Sequence, residues 1–432
     1  LDPLQAGHDA ADGWRRTPLS DRIARVQALI DAVESQAEPL AREITLQMGR
    51  PIRFAKGEID GFCFRGRTLC KLAPDALAPI TPPAQAGFER YITHEPLGLV
   101  LILAPWNYPW LTAVNALVAA LLAGNTVLLK HSEQTPLVAD RLLEAAKAAG
   151  FPPGVFQTVD MSNETTAQVV ADPRVAFVSF TGSVQGGRAV HSAAAGSFKG
   201  VGLELGGKDP AYVRADADLD HAVPNLVEGA LFNSGQSCCA VERIYVHESL
   251  YDAFVARFVA ELDGWQVGDP MDESTVLGPM VRPRNADAVR AQVDQAVGRG
   301  AVAHAPIDAR SGSAYLSPQV LTDVTDDMDI VCEETFGPAV FIVSVSGDEE
   351  AVTRMNASRY GLTASIWTRS IDTARTLGES LETGTVFANR CDYLDPELAW
   401  VGVKDSGRGV TLSSLGFSSF TRPKSFHLRE HA

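Results

Sequence analysis

Apolar positions along the chain follow two different periods. Between residues 17 and 50 they recur at helical spacing, through Ile23, Val26, Leu29, Ile30 and Val33, and Gly49-Arg50-Pro51 marks a stop. From Leu97 onward, short continuous apolar runs of strand length alternate with helical segments. We therefore predict a helical N-terminal part that leads into an α/β unit.

The alternating region divides into two α/β units. The first has predicted strands at 97–103, 126–129, 155–159, 176–180 and 202–205, and predicted helices at 111–122 and 135–150. Thr135 and Pro136 suit the N-cap and first position of the second helix. The second unit follows Gly206-Gly207, with helices near 218–233, 249–263 and 284–299, and runs to about residue 405. Apolar strands alternating with helices predict parallel sheets covered on both faces, with ligands beyond the carboxyl ends of the strands.

These patterns predict an α/β fold with the following division. One parallel-sheet domain takes residues 1–79 and 96–206, the second α/β domain takes 207–405, and 406–420 returns to the first. The segments 80–95 and 421–432 are polar-alternating and strand-like, and we assign them to a small β arm. Projecting strands with free edges are usually buried against another chain, so we expect a homodimer or a dimer of dimers.

Composition narrows the class of protein. The chain has 432 residues, 46% hydrophobic and 21% charged, which is ordinary for a globular enzyme. Its formal charge of −16 includes no Lys/Arg-rich block, so nucleic acid and anionic membranes are not expected partners. The apolar runs are too short to span a bilayer, and no secretory leader pattern opens the printed sequence. The 6 cysteines show neither disulfide nor metal-ligand spacing, so we expect reduced thiols in the cytoplasm and no metal.

Two segments carry the strongest candidate chemistry. Cys238 follows the Gly235-containing turn of FNSGQSCC, where a thiolate would be exposed to attack a carbonyl carbon. Glu204 ends a predicted buried strand just before two glycines, where burial would raise its pKa toward that of a general base. Each has a plainer interpretation, since most cysteines are small buried hydrophobes and Glu204 could belong to an ion pair.

Two weaker motifs lie at strand ends. Asn107, in APWNYP, offers an uncharged N–H donor for an oxyanion, although it could equally be an Asx-turn residue. Gly182 and Ser183, in FTGSVQGG, follow a strand and open a helix, where backbone N–H groups can bind a pyrophosphate. Glycines at such turns are common, so this motif is weak alone.

Taken in order, these four motifs resemble those of the aldehyde dehydrogenase superfamily, and the resemblance runs from about Trp14 to Arg429. It extends to KHSE at 130–133, EETFGP at 333–338, Asn389 and GVKDSG at 402–407. The resemblance implies a Rossmann-like NAD-binding domain, a catalytic domain that carries the cysteine, and an oligomerisation arm.

The resemblance also implies roles for individual residues. Cys238 is the nucleophile, its N–H and the Asn107 amide form the oxyanion hole, and Glu204 activates the water that hydrolyses a thioester. The implied cofactor contacts are Trp106, Lys130, Glu133, Gly182, Ser183, Glu334 and Phe336. The implied substrate-pocket residues are Tyr108, Leu111, Thr112, Asn115, Phe232, Ser237, Cys239, Asp392 and Leu394. The expected reaction is oxidation of a small aldehyde to a carboxylic acid.

Two positions depart from the family pattern. Many relatives have a Lys nine positions after the oxyanion Asn and a Glu near the C-terminus, where this chain has Ala116 and Thr411. A Lys–Glu proton relay is therefore in doubt. The alternatives are a CoA-acylating enzyme, which usually lacks a carboxylate at the Glu204 position, and a catalytically silent protein of the same fold. Retention of Cys238, Glu204, Asn107 and Glu334 argues against the silent protein.

Cofactor and substrate preferences rest on single residues. Glu133 would accept hydrogen bonds from a ribose 2′-hydroxyl and repel a 2′-phosphate, so we expect a preference for NAD, with NADP possible because Lys130 is adjacent. Relatives that oxidise succinate semialdehyde have an Arg at the Asn115 position, and Asp392 is the only charge in the predicted pocket. We therefore expect uncharged aliphatic or aromatic aldehydes to be preferred over succinate semialdehyde by at least about tenfold in efficiency. The direction of the Arg390 side chain stays open.

Overall fold

A computed structural model describes residues 2–305 and 312–430. The helices are α1 (Pro3–Arg16), α2 (Leu19–Glu34), α3 (Ala37–Met48), α4 (Ile52–Ala76), α5 (Pro109–Ala123), α6 (Leu137–Ala148), α7 (Asn163–Ala171), α8 (Val184–Ala194), α9 (Leu219–Leu231), α10 (Tyr251–Glu261), α11 (Pro283–Gly298), α12 (Asp329–Cys332), α13 (Asp348–Asn356) and α14 (Ile371–Gly378). The strands are β1 (Phe88–Pro96), β2 (Leu99–Leu103), β3 (Thr126–Lys130), β4 (Phe156–Thr158), β5 (Val175–Thr181), β6 (Gly200–Glu204), β7 (Asp209–Val213), β8 (Val241–His247), β9 (Val302–Ala303), β10 (Gln319–Thr322), β11 (Ala339–Val345), β12 (Thr363–Trp367), β13 (Thr385–Ala388), β14 (Gly407–Arg408) and β15 (Thr421–Arg429). None of these helices is long and apolar enough to cross a membrane.

The first sheet is built from the predicted strands of the first α/β unit. Its strand order is β14-β6-β5-β2-β3-β4, and the strands are parallel except for β14, which pairs antiparallel with β6. Every residue of the apolar strand β2 is buried, as a central parallel strand requires when helices cover both faces. Helix α5, almost entirely buried, ends at Gly124, whose φ of 96° suits glycine.

The second sheet has the order β13-β12-β7-β8-β11-β10-β9 among the described residues. All its pairs are parallel except β9 with β10. Strands β7 and β12 are buried along their whole length. Both sheets are therefore of the parallel type that the apolar runs predict, and the α/β fold class is confirmed.

The N-terminal helical region differs from the prediction. The single helix expected over 17–50 is two helices, α2 and α3, separated by a turn at 35–36, and α1 and α4 were not predicted. Glycines lower the helix propensity of α4, but close packing explains two of them. A Cβ on Gly61 would collide with the Leu111 side chain, and one on Gly66 with the Ile30 side chain. The 25-residue helix α4 packs against α2, α3 and α5.

Two further segments bear on the predictions. Strands β1 and β15 pair antiparallel in a separate two-stranded sheet, with Phe88 opposite Arg429 and Pro96 opposite Thr421. These strands overlap the segments 80–95 and 421–432 that we assign to a β arm, of which residues 431–432 lie outside the described part. Helix α6 begins at Leu137, and the expected Thr135 cap is wrong, because the Thr135 hydroxyl lies 3.1 Å from His131 Nδ1 instead.

Candidate active site

A cavity of about 440 Å³ opens beside the carboxyl end of β6. Its wall contains Cys238 and Glu204, which are 34 residues apart in the sequence and come from different α/β units. Asn107, on the loop between β2 and α5, is buried in direct hydrogen-bond contact with the Cys238 loop. The structure thus brings the three predicted catalytic residues to one place.

The loop before Cys238 has an unusual backbone. Asn233, Ser234 and Gly235 have consecutive φ values of 55°, 57° and 67°, and the first two are not glycine. Such conformations cost free energy and persist only where the surroundings hold them. Here the Asn233 amide donates to Asn107 O at 3.0 Å and to Gln236 O at 3.2 Å, while Ser234 Oγ donates to Gly278 O at 2.8 Å. These bonds fix the turn that presents Cys238.

Donors suited to an oxyanion lie beside the Cys238 thiol. Asn107 Nδ2 donates one hydrogen to Gln236 O at 3.2 Å, and an amide nitrogen carries two. The backbone N–H of Cys238 donates to no acceptor among the described residues. One side-chain and one backbone N–H are therefore free to stabilise negative charge that develops on a carbonyl oxygen.

A buried ion pair, which the sequence did not reveal, supports both donors. Arg50 pairs with Glu58, and it also donates to Asn107 O at 2.8 Å and to Asn233 Oδ1 at 3.0 Å. Glu58 accepts from the backbone N–H of Trp110 at 2.8 Å, at the first turn of α5. Removing either partner would leave a buried charge uncompensated. Arg50 and Glu58 therefore hold the Asn107 loop against the Cys238 loop.

Glu204 is bound by hydroxyl groups. Thr181 Oγ1 donates to one carboxylate oxygen at 3.0 Å, and Thr411 Oγ1 donates to the other. No cation among the described residues forms an ion pair with it, which removes the plainer interpretation of this residue. Burial raises the pKa of Glu204, and the two threonine hydroxyls oppose that rise. A carboxylate with a raised pKa on a cavity wall can accept a proton from water.

Five of the seven predicted cofactor residues lie at or just after the carboxyl ends of β2, β3 and β5, whereas Glu334 and Phe336 follow α12. Ser183 caps helix α8 by accepting from Gly186 N at 3.1 Å. The other backbone N–H groups in the first turn of that helix are the kind that bind a phosphate. The rings of Trp106 and Phe336 are 5.6 Å apart and nearly perpendicular. Lys130 ends β3, and Glu133 is highly exposed and 3.4 Å from Arg282. This arrangement fits a dinucleotide laid across the strand ends.

Glu334 is held beside the strand that carries Glu204. Its carboxylate accepts from Gly207 N at 3.0 Å, and burial raises its pKa to about 8. The following backbone is fixed by buried Glu242, which accepts from Thr335 N at 2.8 Å, from Phe336 N at 2.9 Å and from Lys208 Nζ at 2.6 Å. Lys208 and Glu242 are therefore supporting residues that the motif comparison did not identify.

All nine residues predicted for the substrate pocket line the cavity: Tyr108, Leu111, Thr112, Asn115, Phe232, Ser237, Cys239, Asp392 and Leu394. Asp392 is the only charged residue of these nine, but the expectation that it would be the only charge in the pocket is wrong, because Arg65, Glu228 and Arg390 also line the cavity. Asp392 accepts from Ser237 Oγ and from Cys239 Sγ, each at 3.0 Å, and burial raises its pKa.

The direction of Arg390 is now defined. Asn389 bonds to both backbone groups of Thr368 and has a φ of 53°, and the next four residues, 390–393, line the cavity. Arg390 is exposed at the cavity wall, with its guanidinium 3.4 Å from the centre of the Tyr393 ring. The expected preference for uncharged aldehydes depended on a pocket without cations. Because Arg65 and Arg390 line the cavity, that argument no longer holds.

Comparisons with known proteins agree with this geometry. Residues 3–426 match the model of the aldehyde dehydrogenase family. The chain is 37% identical to "Succinate-semialdehyde dehydrogenase [NADP(+)] 1" of Mycobacterium ulcerans, over 96% of this chain and 91% of the relative.

Solved structures give the same result. An NAD-dependent aldehyde dehydrogenase from Sinorhizobium meliloti is 34% identical, with a TM-score of 0.95 over 100% of this chain and 86% of that one. A succinic semialdehyde dehydrogenase from Streptococcus pyogenes, solved with NADP+, is 30% identical, with a TM-score of 0.95 over 99% and 94%. The chain therefore belongs to the aldehyde dehydrogenase family, whose members oxidise aldehydes with NAD or NADP.

Proposed function

We propose that this chain converts an aldehyde to a free carboxylic acid through a covalent intermediate on Cys238. The single observation that supports this most is the cavity wall shared by Cys238 and Glu204, with the Asn107 amide held against the Cys238 loop. A nucleophile, a base and oxyanion donors are the groups that acyl transfer to water requires.

The acylation half-reaction uses Cys238 and Asn107. The Cys238 thiolate forms a C–S bond to the aldehyde carbon, and the carbonyl electron pair moves to oxygen. The Asn107 amide and the Cys238 N–H donate to that oxyanion. Trp106, Glu334 and Phe336 would hold a nicotinamide cofactor, which would supply the acceptor for a hydride. Loss of that hydride from the carbon, as the carbonyl re-forms, would leave a thioester on Cys238.

The deacylation half-reaction uses Glu204. Its carboxylate takes a proton from water, the resulting hydroxide adds to the thioester carbon, and the C–S bond breaks to release the acid and the thiolate. Thr181 and Thr411 hold both carboxylate oxygens, so the base is fixed in orientation without a Lys–Glu relay. A carboxylate placed to activate water favours hydrolysis over transfer to CoA.

Cofactor choice and assembly complete the proposal. Glu133, exposed beyond the end of β3, favours NAD, whereas the Mycobacterium ulcerans relative is named for NADP. Ile80 bridges the outer edge of β1, but the outer edge of β15 pairs with no other strand of the described residues, which favours a homodimer or a dimer of dimers. We further propose a cytoplasmic location, because the six thiols are all unpaired in the structure.

Three variants test the proposed roles. Cys238→Ala should abolish aldehyde-dependent reduction of NAD, while Cys239→Ala, its matched control on the cavity wall, should retain activity. Glu204→Gln should give a burst of about one reduced cofactor per active site followed by slow turnover, because only deacylation loses its base. Loss of activity in Cys239→Ala but not in Cys238→Ala would reverse the nucleophile assignment. Equal suppression of burst and steady state would remove Glu204 from the base role.

A further inference from the structure

Arg65 is a buried cation without a counter-ion on the cavity wall. Only 9% of this residue, on helix α4, is exposed, and Nη1 donates to Leu111 O at 3.0 Å and to Asn115 Oδ1 at 3.2 Å. In residues 2–305 and 312–430, no carboxylate pairs with it, and Nε and Nη2 have no acceptor. Burial lowers the pKa of Arg65, but a guanidinium stays protonated. A buried unpaired charge is costly, which points to a ligand that supplies the missing anion.

Asn115 adds a second donor at the same place. A guanidinium can only donate, so the Asn115 oxygen faces Arg65 and its Nδ2 group is directed elsewhere. Asn115 is buried, lines the cavity, and its Nδ2 donates to no acceptor among the described residues. Arg65 and Asn115 therefore place guanidinium and amide N–H groups on the same cavity wall, and both are donors that a carboxylate accepts.

Other charged groups on the cavity wall are already engaged or lie at its exposed edge. Glu204 is bound by two threonines, and Asp392 by Ser237 and Cys239. Glu228 and Arg390 are exposed, and Arg390 is stacked on Tyr393. Arg65 is the buried cation of this wall among the described residues. The carboxylates of Glu204 and Glu58 act to raise the pKa of Arg65, but neither forms an ion pair with it.

We propose that Arg65, with Asn115, binds a carboxylate at the far end of the aldehyde substrate, so that the chain prefers ω-oxo carboxylic acids. This inference rests on the proposed function of Cys238 and Glu204. At the position where the carboxylate-binding Arg of some relatives lies, this chain has Asn115, and the cation comes from α4 instead. Arg65 is then a specificity-determining residue that acts on the substrate and not on the reacting atoms.

Matched substrate pairs test the proposal. Succinate semialdehyde and glutarate semialdehyde are each compared with their methyl ester, which keeps the chain length and removes the charge. The wild type should favour the acid in at least one pair. Arg65→Gln should lower kcat/KM for that acid by about 10- to 100-fold, as expected for a hydrogen bond between charged groups, and change the ester by less than about threefold. Arg65→Lys should recover part of the loss.

Two arginines serve as controls. Arg67 lies on the same helix but is exposed and paired with Asp31 and Glu34, so Arg67→Gln should behave as the wild type. Arg390→Gln tests the exposed cation at the cavity edge. If Arg65→Gln lowers kcat/KM equally for the acid and the ester, Arg65 has a structural role or activates Cys238, and the proposal is wrong. Loss of the acid preference in Arg390→Gln alone, or a wild type that favours both esters, would overturn the proposal.

A binding measurement separates this inference from the proposed function. Alkylation of Cys238 by iodoacetamide is measured by peptide mass spectrometry. Succinate and glutarate should slow this alkylation in the wild type but not in Arg65→Gln. Their dimethyl esters should not protect either protein. Arg65-dependent protection without turnover would refute the proposed function and retain the anion site. Turnover of aldehydes without any such protection, and without acid preference, would refute the anion site alone.

Discussion

Thr411 should set the pH at which the proposed base works. In the structure its hydroxyl donates to one oxygen of the Glu204 carboxylate, and this bond stabilises the ionised form. A hydrogen bond to a charged group contributes about 1.5–3 kcal/mol, and one pKa unit corresponds to about 1.4 kcal/mol. Thr411→Val keeps the side-chain volume in this buried position and removes the donor. The pKa of Glu204, already raised by burial, should therefore rise by about one to two units more.

The assay measures how kcat depends on pH under conditions in which deacylation limits turnover. An initial burst of reduced cofactor shows that deacylation is the slow step. General-base catalysis needs the carboxylate, so activity is lost as pH falls through the pKa of Glu204. A raised pKa moves that acid limb to higher pH by about one to two units. Thr411→Ser should leave the limb in place, and Thr181→Val, which frees the other oxygen, should move it in the same direction. Acid limbs of Thr411→Val and Thr181→Val that coincide with the wild type would refute this reasoning.

Two further predictions concern cofactor and assembly. Because Glu133 would repel a 2′-phosphate, kcat/KM should be higher with NAD than with NADP, and Glu133→Gln should raise the efficiency with NADP. Glu144→Gln, which removes an exposed charge on α6, is the matched control and should change neither efficiency; higher wild-type efficiency with NADP would contradict the assignment. Because β15 has an outer edge that pairs with no other strand of the described residues, and exposes Leu428, light scattering at micromolar concentration should show at least a dimer. A stable monomer would remove the proposed role of the arm.

Local patterns predicted the first parallel sheet because strands such as β2 and β3 are apolar runs with a helix after them. In the second sheet the buried strand β8 contains Glu242 and Arg243 and shows no such run. Local patterns also indicate the motif residues, since Cys238, Gly182 and Ser183 lie on turns whose chemistry is contained in a few neighbouring positions. Helix α4 could not be recognised in this way. Its glycines at 61 and 66 reduce helix propensity, and the Leu111 and Ile30 side chains that pack closely against them belong to other helices.

The supporting bonds could not be predicted because they join distant parts of the chain. Arg50 contacts Asn107 across 57 positions and Asn233 across 183. In the sequence, Arg50 is only the middle residue of the Gly49-Arg50-Pro51 helix stop. No neighbouring residue indicates that it contacts the two loops of the oxyanion site. Glu58 and Arg65 carried a weak signal, being seven positions apart and therefore close to the same face of a helix that is otherwise apolar there. A charged pair on an apolar helix face is a reason to look for a buried site.

The departures from the family pattern are better understood in three dimensions than position by position. Thr411, where relatives have a Glu, looks in the sequence like the loss of a proton relay, yet its hydroxyl contacts the Glu204 carboxylate directly. Asn115, where some relatives have an Arg, looks like the loss of an anion site, yet its oxygen accepts from Arg65 on the neighbouring helix. On our proposal the cation has moved from α5 to α4 while the cavity keeps its charge. Comparison of single positions cannot detect such an exchange, because the same point in space can be reached from either of two packed helices.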